Sequence, residues 1–322
     1  MDQNDFYPEK PIIQEKNTQR KTGQMLVSLI LFFAVFFVFF SNDFLFVTQL
    51  VFVLLIHELG HFLMMKYFNY ENVRMLFVPM MGAFVAGKKD QYIQKESLLV
   101  VSAGPIPGFI IGVVLLIVAQ RFQSVFLVNF SLLFLVLNYI NLLPLYPLDG
   151  GQFVKIISKR FTDYFTLIFE FISSLIFIGI GWYIDSWLMM IFGFYMGFRV
   201  HSIQSVIRIR KELKEEGIAY ESNYADLTRK NYAGIRSKLL EKSKTLRKYI
   251  DTVEEEEGNQ LLAKQVNSIL TNALTFNASL LFRVVLLLVW LFILTSPFIV
   301  YFLFKEDLIS HYGWYFQSLS SK

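Results

Sequence analysis

The sequence predicts an all-α polytopic membrane protein with about seven transmembrane helices and a small helical cytoplasmic insert. Of its 322 residues 55% are hydrophobic and only 17% charged, and the mean hydropathy is +0.47, far from the balance of a soluble globular chain. About seven apolar runs approach the ~17 to 25 residues that a helix needs to cross a bilayer. Basic residues gather in alternate connections between those runs. Together these observations exclude a disordered chain, a nucleic-acid-binding module and an ordinary soluble enzyme.

The runs lie near Gln24 to Phe40, Phe44 to Tyr67, Leu98 to Ala119, Val125 to Tyr146, Phe165 to Ile184, Trp187 to Val200 and Leu280 to Phe304. The Trp187 run is the shortest, so it tilts or continues as helix into water beyond Ser202. The first run follows about twenty polar residues and lacks a small-residue cleavage site, which reads as a retained anchor. Lys10, Lys16, Arg20 and Lys21 before it place the N-terminus in the cytoplasm. Connections then expected inside carry Lys66, Arg74, Lys88, Lys89 and Lys95, later Lys155, Lys159 and Arg160, while the outside connections carry only Arg121. An odd number of spans follows, with the C-terminal tail outside.

Between Ser202 and Asn277 lies the one sizeable water-soluble stretch, with charge runs at Arg208 to Glu216 and Glu254 to Glu257. Apolar positions at Ile235, Leu239, Leu246, Ile250 and Val253, then at Leu262, Val266, Ile269 and Ala273, recur at helical spacing. Two stripes predict an antiparallel helical pair, and Gly217 and Gly258 fit helix ends. The expected organisation is a cytoplasmic tail over 1–23, a membrane-embedded domain over 24–204, a cytoplasmic helical segment over 205–278, a last transmembrane helix over 279–304 and an extracytoplasmic tail over 305–322.

The net charge of +4 argues for no anionic partner, and the absence of Cys removes disulfide scaffolds, thiol catalysis and thiolate metal sites. Any metal must be held by His and carboxylates. Within the second run the chain reads His57-Glu58-Leu59-Gly60-His61. Ionisable groups at membrane depth are costly and mark function by default. At ~100° per residue the two imidazoles sit ~40° apart around the helix and one turn apart along it, within reach of a single Zn²⁺. Glu58 is rotated away by another ~100°, beside the ion, where a general base stands. A lone buried His is more often a satisfied core residue, but three costly groups together favour a metal site. His201 and His311 have no carboxylate at ligand spacing and read as interfacial residues.

The best third ligand is Asp149. Pro144 and Pro147 stop the preceding helix, and Gly150-Gly151 frees the backbone to turn beside it. The second and fourth runs point the same way, so His57, His61 and Asp149 converge toward the cytoplasmic side, roughly 13 Å below that face. Asn141 either stabilises a developing oxyanion or bonds between helices. Gly104, Gly108 and Gly112 recur every fourth residue and form a ridge for close helix approach, as do Gly193 and Gly197. Phe77 to Val85, with Pro79 and Gly82, is a poor spanning helix yet apolar enough to dip into the membrane.

His57-Glu58-Leu-Gly-His61 with Asn141-x-x-Pro144-x-x-x-Leu148-Asp149-Gly150 resembles the site-2 protease family of intramembrane zinc metalloproteases, over roughly Phe44 to Gln152. The resemblance implies that His57, His61 and Asp149 bind Zn²⁺, that Glu58 is the base, and that Asn141 assists at the scissile carbonyl. Phe77 to Val85 is similar to the family's short membrane-reentrant β element, with Gly82, Ala83, Phe84 and Val85 as the substrate-binding strand. Gly104-Pro105-Ile-Pro-Gly108 resembles the family's Gly-Pro-x-x-Asn stretch, with Gly108 where many members have Asn.

The function so implied is regulated intramembrane proteolysis: hydrolysis of peptide bonds in membrane-embedded substrates by a zinc-activated water. Its partners would be a membrane protein or membrane-associated peptide, the lipid bilayer, and a regulatory partner at 205–278; its location, a bacterial plasma membrane. Lys88, Lys89 and Lys95 would line the approach to the site. Maturation of small peptides or removal of signal-peptide remnants is the alternative within enzymes. A non-catalytic metal-binding transport or binding protein is disfavoured because Glu58, the one acid in its span, adds nothing to binding.

Overall fold

The computed structural model describes residues 7–13, 21–40, 43–78, 82–89, 91–157, 163–271 and 274–320, and the chain divides into two compact units. One unit comprises Arg20–Lys89, Ile93–Phe161 and Phe276–Lys322. It holds α1 (Lys21–Phe39), α2 (Phe44–Tyr67), β1 (Glu71–Val78), β2 (Gly82–Lys88), α3 (Gln94–Ser102), α4 (Pro105–Phe122), α5 (Val125–Leu142), α6 (Asp149–Ile157) and α12 (Leu280–Ser320). The other comprises Met1–Gln19, Asp90–Tyr92 and Thr162–Thr275. It holds α7 (Asp163–Tyr183), α8 (Trp187–Glu215), α9 (Arg229–Lys242), α10 (Lys244–Ile250) and α11 (Glu255–Ile269).

Five helical stretches among the described residues are long and apolar enough to cross a membrane: Phe44–Tyr67, Gln94–Phe122, Val125–Leu142, Phe165–Tyr183 and Leu280–Leu303. Gly23–Phe39 is apolar but shorter, and the Trp187 run is only the apolar beginning of a helix that continues, charged, to Glu215. Five is thus the number that length and composition support, against the expected seven or so. Apolar side chains point outward along these helices; Phe302 is 86% exposed and Leu281 74%. Such a surface suits lipid and not water.

Capping and helix breakers set the ends of the spans. Asp43 accepts from Phe46 N–H to start α2, and Ser124 accepts from Leu127 N–H to start α5. The fourth run stops at Leu142, ahead of the expected Tyr146, because Pro144 and Pro147 cannot continue it. The third run is broken in two. α3 ends at Ser102 and α4 restarts with Pro105 at its N-terminus, where a missing N–H costs nothing. α12 passes Pro297 and stays helical to Ser320, so the expected tail is helical. Its start packs Trp290 and Ile293 on Leu98, Leu142 and Phe153. Near its end Tyr315 donates to Asn129 Oδ1 at 2.7 Å and Tyr312 to the Leu116 carbonyl at 3.1 Å. α12 therefore runs the length of α5, finishing by the Arg121 connection.

β1 and β2 form an antiparallel hairpin with Leu76 opposite Phe84 and Phe77 opposite Ala83. The strand element expected around Phe77 to Val85 is present and begins earlier, at Glu71; Pro79, Met80 and Met81 lie outside the described residues. Val73, Met75 and Phe77 alternate into the interior, where Met75 and Phe77 meet Phe32 of α1. Lys89, beyond β2, donates to the Phe68 carbonyl at 2.9 Å and pairs with Glu96 of α3. It fastens the hairpin to α3.

In the other unit α7 and α8 form a helical hairpin, with Ser174 Oγ donating to the Gly193 carbonyl at 2.8 Å. The charged half of α8 supplies Ile209 and Leu213 to a core with Leu227, Tyr232, Ile235, Leu239, Val266 and Ile269. α8 closes with a left-handed Gly217, φ 69°, and paired bonds from Gly217 N–H to Lys214 O at 3.2 Å and Ile218 N–H to Leu213 O at 2.8 Å. The expected helical pair is instead three helices, because Ser243 ends α9 and accepts from Leu246 N–H to begin α10. Gly258 falls inside α11 and not at an end; Ala273 lies outside the described residues. Within residues 7–13 the chain is tied down by a lysine. Lys10 Nζ donates to the carbonyls of Tyr224, Ala225 and Leu227 at 2.9, 2.8 and 2.9 Å.

A candidate metal centre

α2 presents His57, Glu58 and His61 to the interior, at 3%, 6% and 7% exposure. Three groups of this polarity at that depth need partners. His61 Nδ1 lies 2.7 Å from the Val100 carbonyl oxygen. A carbonyl only accepts, so Nδ1 carries the proton and Nε2 keeps its lone pair. His57 Nδ1 lies 2.8 Å from Asn138 Oδ1, and the same amide spends its Nδ2 on the Phe134 carbonyl at 2.7 Å. His57 Nδ1 is therefore also the donor, and its Nε2 is bare.

Both bare nitrogens point at Asp149. His57 Nε2 is 3.1 Å and His61 Nε2 3.2 Å from Asp149 Oδ2, and the two nitrogens are 3.2 Å apart. Three acceptors this close repel one another unless a cation lies among them. The spacing matches the edge of a tetrahedron of ligands about 2.0 to 2.1 Å from its centre, an edge of about 3.3 Å. His57, His61 and Asp149 are so placed that they could hold a metal ion, and the N, N, O donor set fits a catalytic ion that keeps one position open.

The close approach of α2 to the α3–α4 break needs small residues. A Cβ on Gly104 would fall on the His61 ring, and one on Gly60 on the Ala103 carbonyl. Asp149 itself is delivered by the chain reversal after Leu142. Gly150 and Gly151, expected to free a turn, are already within α6. They serve close packing instead, because side chains there would strike the carbonyls of Leu142, Leu143 and Leu145.

Glu58 is buried beside this group, near enough for its charge to be felt by His57, His61 and Asp149. Among the described residues nothing hydrogen-bonds its carboxylate, which leaves it able to take a proton. Asn141 is not drawn into the cluster; its Nδ2 donates to the Leu137 carbonyl of its own helix at 3.1 Å, spending one of two N–H donors. His201 lies exposed on α8, and the His311 side chain lies outside those described. Two participants escaped the sequence reading. The Val100 carbonyl has no sequence signal beyond a helix end, whereas Asn138 had one, a polar amide within an apolar span.

Comparison with known proteins then bears on the same stretch. Residues 45–131 match Peptidase family M50. The match takes in the His57 to His61 motif and the glycines of α4, and ends before Asn138 and Asp149. A zinc metalloprotease of Methanocaldococcus jannaschii is 40% identical over 124 residues, 36% of this chain and 35% of that protein. Stage IV sporulation protein FB of Bacillus subtilis is 30% identical over 118 residues, 34% of this chain and 39% of that protein. The matches thus span little more than a third of these curated relatives. The solved site-2 protease from Methanocaldococcus jannaschii aligns with a TM-score of 0.43 at 26% identity, over 55% of this chain and 87% of that one. The family match thus covers the first of the two motifs that carry the likeness to site-2 proteases, and a curated relative similar to this chain is a zinc metalloprotease.

Proposed function

We propose that the chain is an intramembrane zinc metalloprotease that cuts membrane-embedded proteins in regulated intramembrane proteolysis. The observation that carries this reading is the meeting of three bare acceptor atoms, 3.1 to 3.2 Å apart within apolar helices, beside a carboxylate that holds nothing. His57, His61 and Asp149 would hold zinc. Bound there, zinc would supply a Lewis acid for the scissile carbonyl and acidify water. Glu58 takes a proton from the attacking water and passes it to the amide nitrogen as the C–N bond breaks. The second N–H of Asn141 is offered to the developing oxyanion. A binding or transport role would leave Glu58 without a purpose.

A substrate helix must unwind to expose its carbonyl, and its freed backbone groups then need partners in lipid. β2 pairs with β1 alone among the described residues, so its far edge along Gly82 to Val85 suits strand addition by the substrate. In this reading the hairpin dips into the bilayer. α1 and the apolar start of α8 enter it too, for about seven crossings. The basic residues of alternate connections put the N-terminus in the cytoplasm of a bacterial plasma membrane. Residues 205–278 choose or gate the substrate, through a regulatory partner, and boundaries near 24, 205, 279 and 305 follow. Membrane proteomics comparing cells with the native chain and with Glu58→Gln tests the assignment. At least one membrane protein should accumulate intact with Glu58→Gln; identical membrane proteomes would count against proteolysis.

A further inference from the structure

Asn138 sits on α5 with no exposure at all, in a span where an amide is expensive unless both its ends are satisfied. Both are. Nδ2 donates to the Phe134 carbonyl at 2.7 Å, and Oδ1 accepts from His57 Nδ1 at 2.8 Å. The first bond fixes which way the amide faces. The second then fixes the imidazole tautomer and ring plane, so that Nε2 meets Asp149 and His61.

The amide occupies a particular gap. A Cβ on Gly108 of α4 would land on its Oδ1, Cγ and Nδ2. No residue with a side chain fits at 108 while Asn138 is present. Gly112, one turn beyond Gly108 on α4, accepts from Ser131 of α5 at 2.9 Å, keeping the two helices close along this line. Gly108 stands where many members of the resembling family carry Asn. Here the space beside Gly108 is filled from α5 by the Asn138 amide.

We propose that Asn138 is a positioning residue for the metal centre, holding His57 by its Nδ1–H, and that Gly108 and Asn138 form an exchangeable pair in which one helix supplies the amide and the other the gap. The inference rests on the metal-centre reading and adds to it an orienting partner for a ligand. Such partners typically contribute about 10- to 100-fold in metal affinity. A bond that merely glues two helices would leave affinity nearly unchanged.

The test is zinc affinity of the purified full-length protein in detergent, by chelator competition, with the cobalt(II) absorption spectrum as a second readout. Asn138→Leu keeps the volume and removes the acceptor, and should weaken zinc about 10- to 100-fold and shift the cobalt bands. Asn138→Asp keeps an acceptor and should stay near the native affinity. Gly108→Asn with Asn138→Gly should recover most of what Asn138→Gly alone loses, and this comparison stands in if Asn138→Leu does not fold. Native affinity and an unshifted cobalt spectrum in folded Asn138→Leu would overturn the proposal, as would an exchange variant no better than Asn138→Gly. If the native protein takes up no zinc while folded, the metal centre itself fails, a separate result visible before any variant is made.

Discussion

His61 Nδ1 lies 2.7 Å from the carbonyl oxygen of Val100, in the last turn of α3. The same carbonyl accepts the Ala103 N–H at 3.2 Å, the bond that closes α3, and its second lone pair is left for the imidazole. The break in the third apolar run therefore belongs to the metal centre as much as to the fold.

The break also gives the first prediction. Gly104→Ala would press a methyl onto the His61 ring, and overpacking of this kind typically costs about 1–3 kcal/mol. Zinc should be lost from Gly104→Ala protein more readily than from native protein when a chelator is titrated in, with a lowered Tm. Native zinc retention would show that α4 yields freely, contrary to this packing.

The N-terminal strap yields a second. Lys10→Met keeps the aliphatic stem but deletes three bonds to the carbonyls of residues 224–227, a loss of about 1–2 kcal/mol at a partly exposed site. Hydrogen exchange should accelerate over residues 7–13 and around Leu227, with α7 unaffected. Unchanged protection would make the strap incidental.

The third concerns the hairpin edge. Phe84 lies on β2 and is 42% exposed, and proline there removes a donor from the ladder. Phe84→Pro should slow cleavage of a stable transmembrane helix much more than of one pre-weakened with Gly and Pro near the scissile bond. Equal slowing of both, with zinc retained, would assign the edge no part in holding substrate.

Topology gives the fourth. The chain has no Cys, so single cysteines report cleanly. Those placed at Lys89 and Lys244 should label from the cytoplasm and one at Gln317 from outside. Opposite sidedness for Lys89 and Lys244 would break the scheme of alternating basic connections.

The legible parts of the sequence were those where local chemistry conflicts with a bilayer. His57, Glu58 and His61 stood out because they are ionisable groups placed together inside an apolar span. Asp149 stood out because Pro144 and Pro147 end its span. What stayed hidden depended on packing between distant segments. The Ala103–Gly104 break lies inside a continuous apolar run, where hydropathy is blind and only Pro105 marks a helix start. Asn138 was passed over for Asn141, though its role becomes visible only once α4 brings Gly108 against it. Lys10 reads as one more cytoplasmic charge until the chain brings Tyr224 to it across more than two hundred residues. Ser243 looked like one polar position on a helical stripe, and is a cap.

The central claim is that His57, His61 and Asp149 hold the ion while Glu58 does the proton transfer, and one paired measurement on purified protein in liposomes addresses it most directly: zinc per chain and cleavage of a co-reconstituted transmembrane substrate. His57→Ala, His61→Ala and Asp149→Ala should each lose zinc and activity together. Glu58→Gln should keep about one zinc per chain and lose at least about a hundredfold in turnover, the lower range for removing a general base. Glu58→Gln protein that cleaves at the native rate, or any of the three alanine variants with native zinc content, would contradict the account.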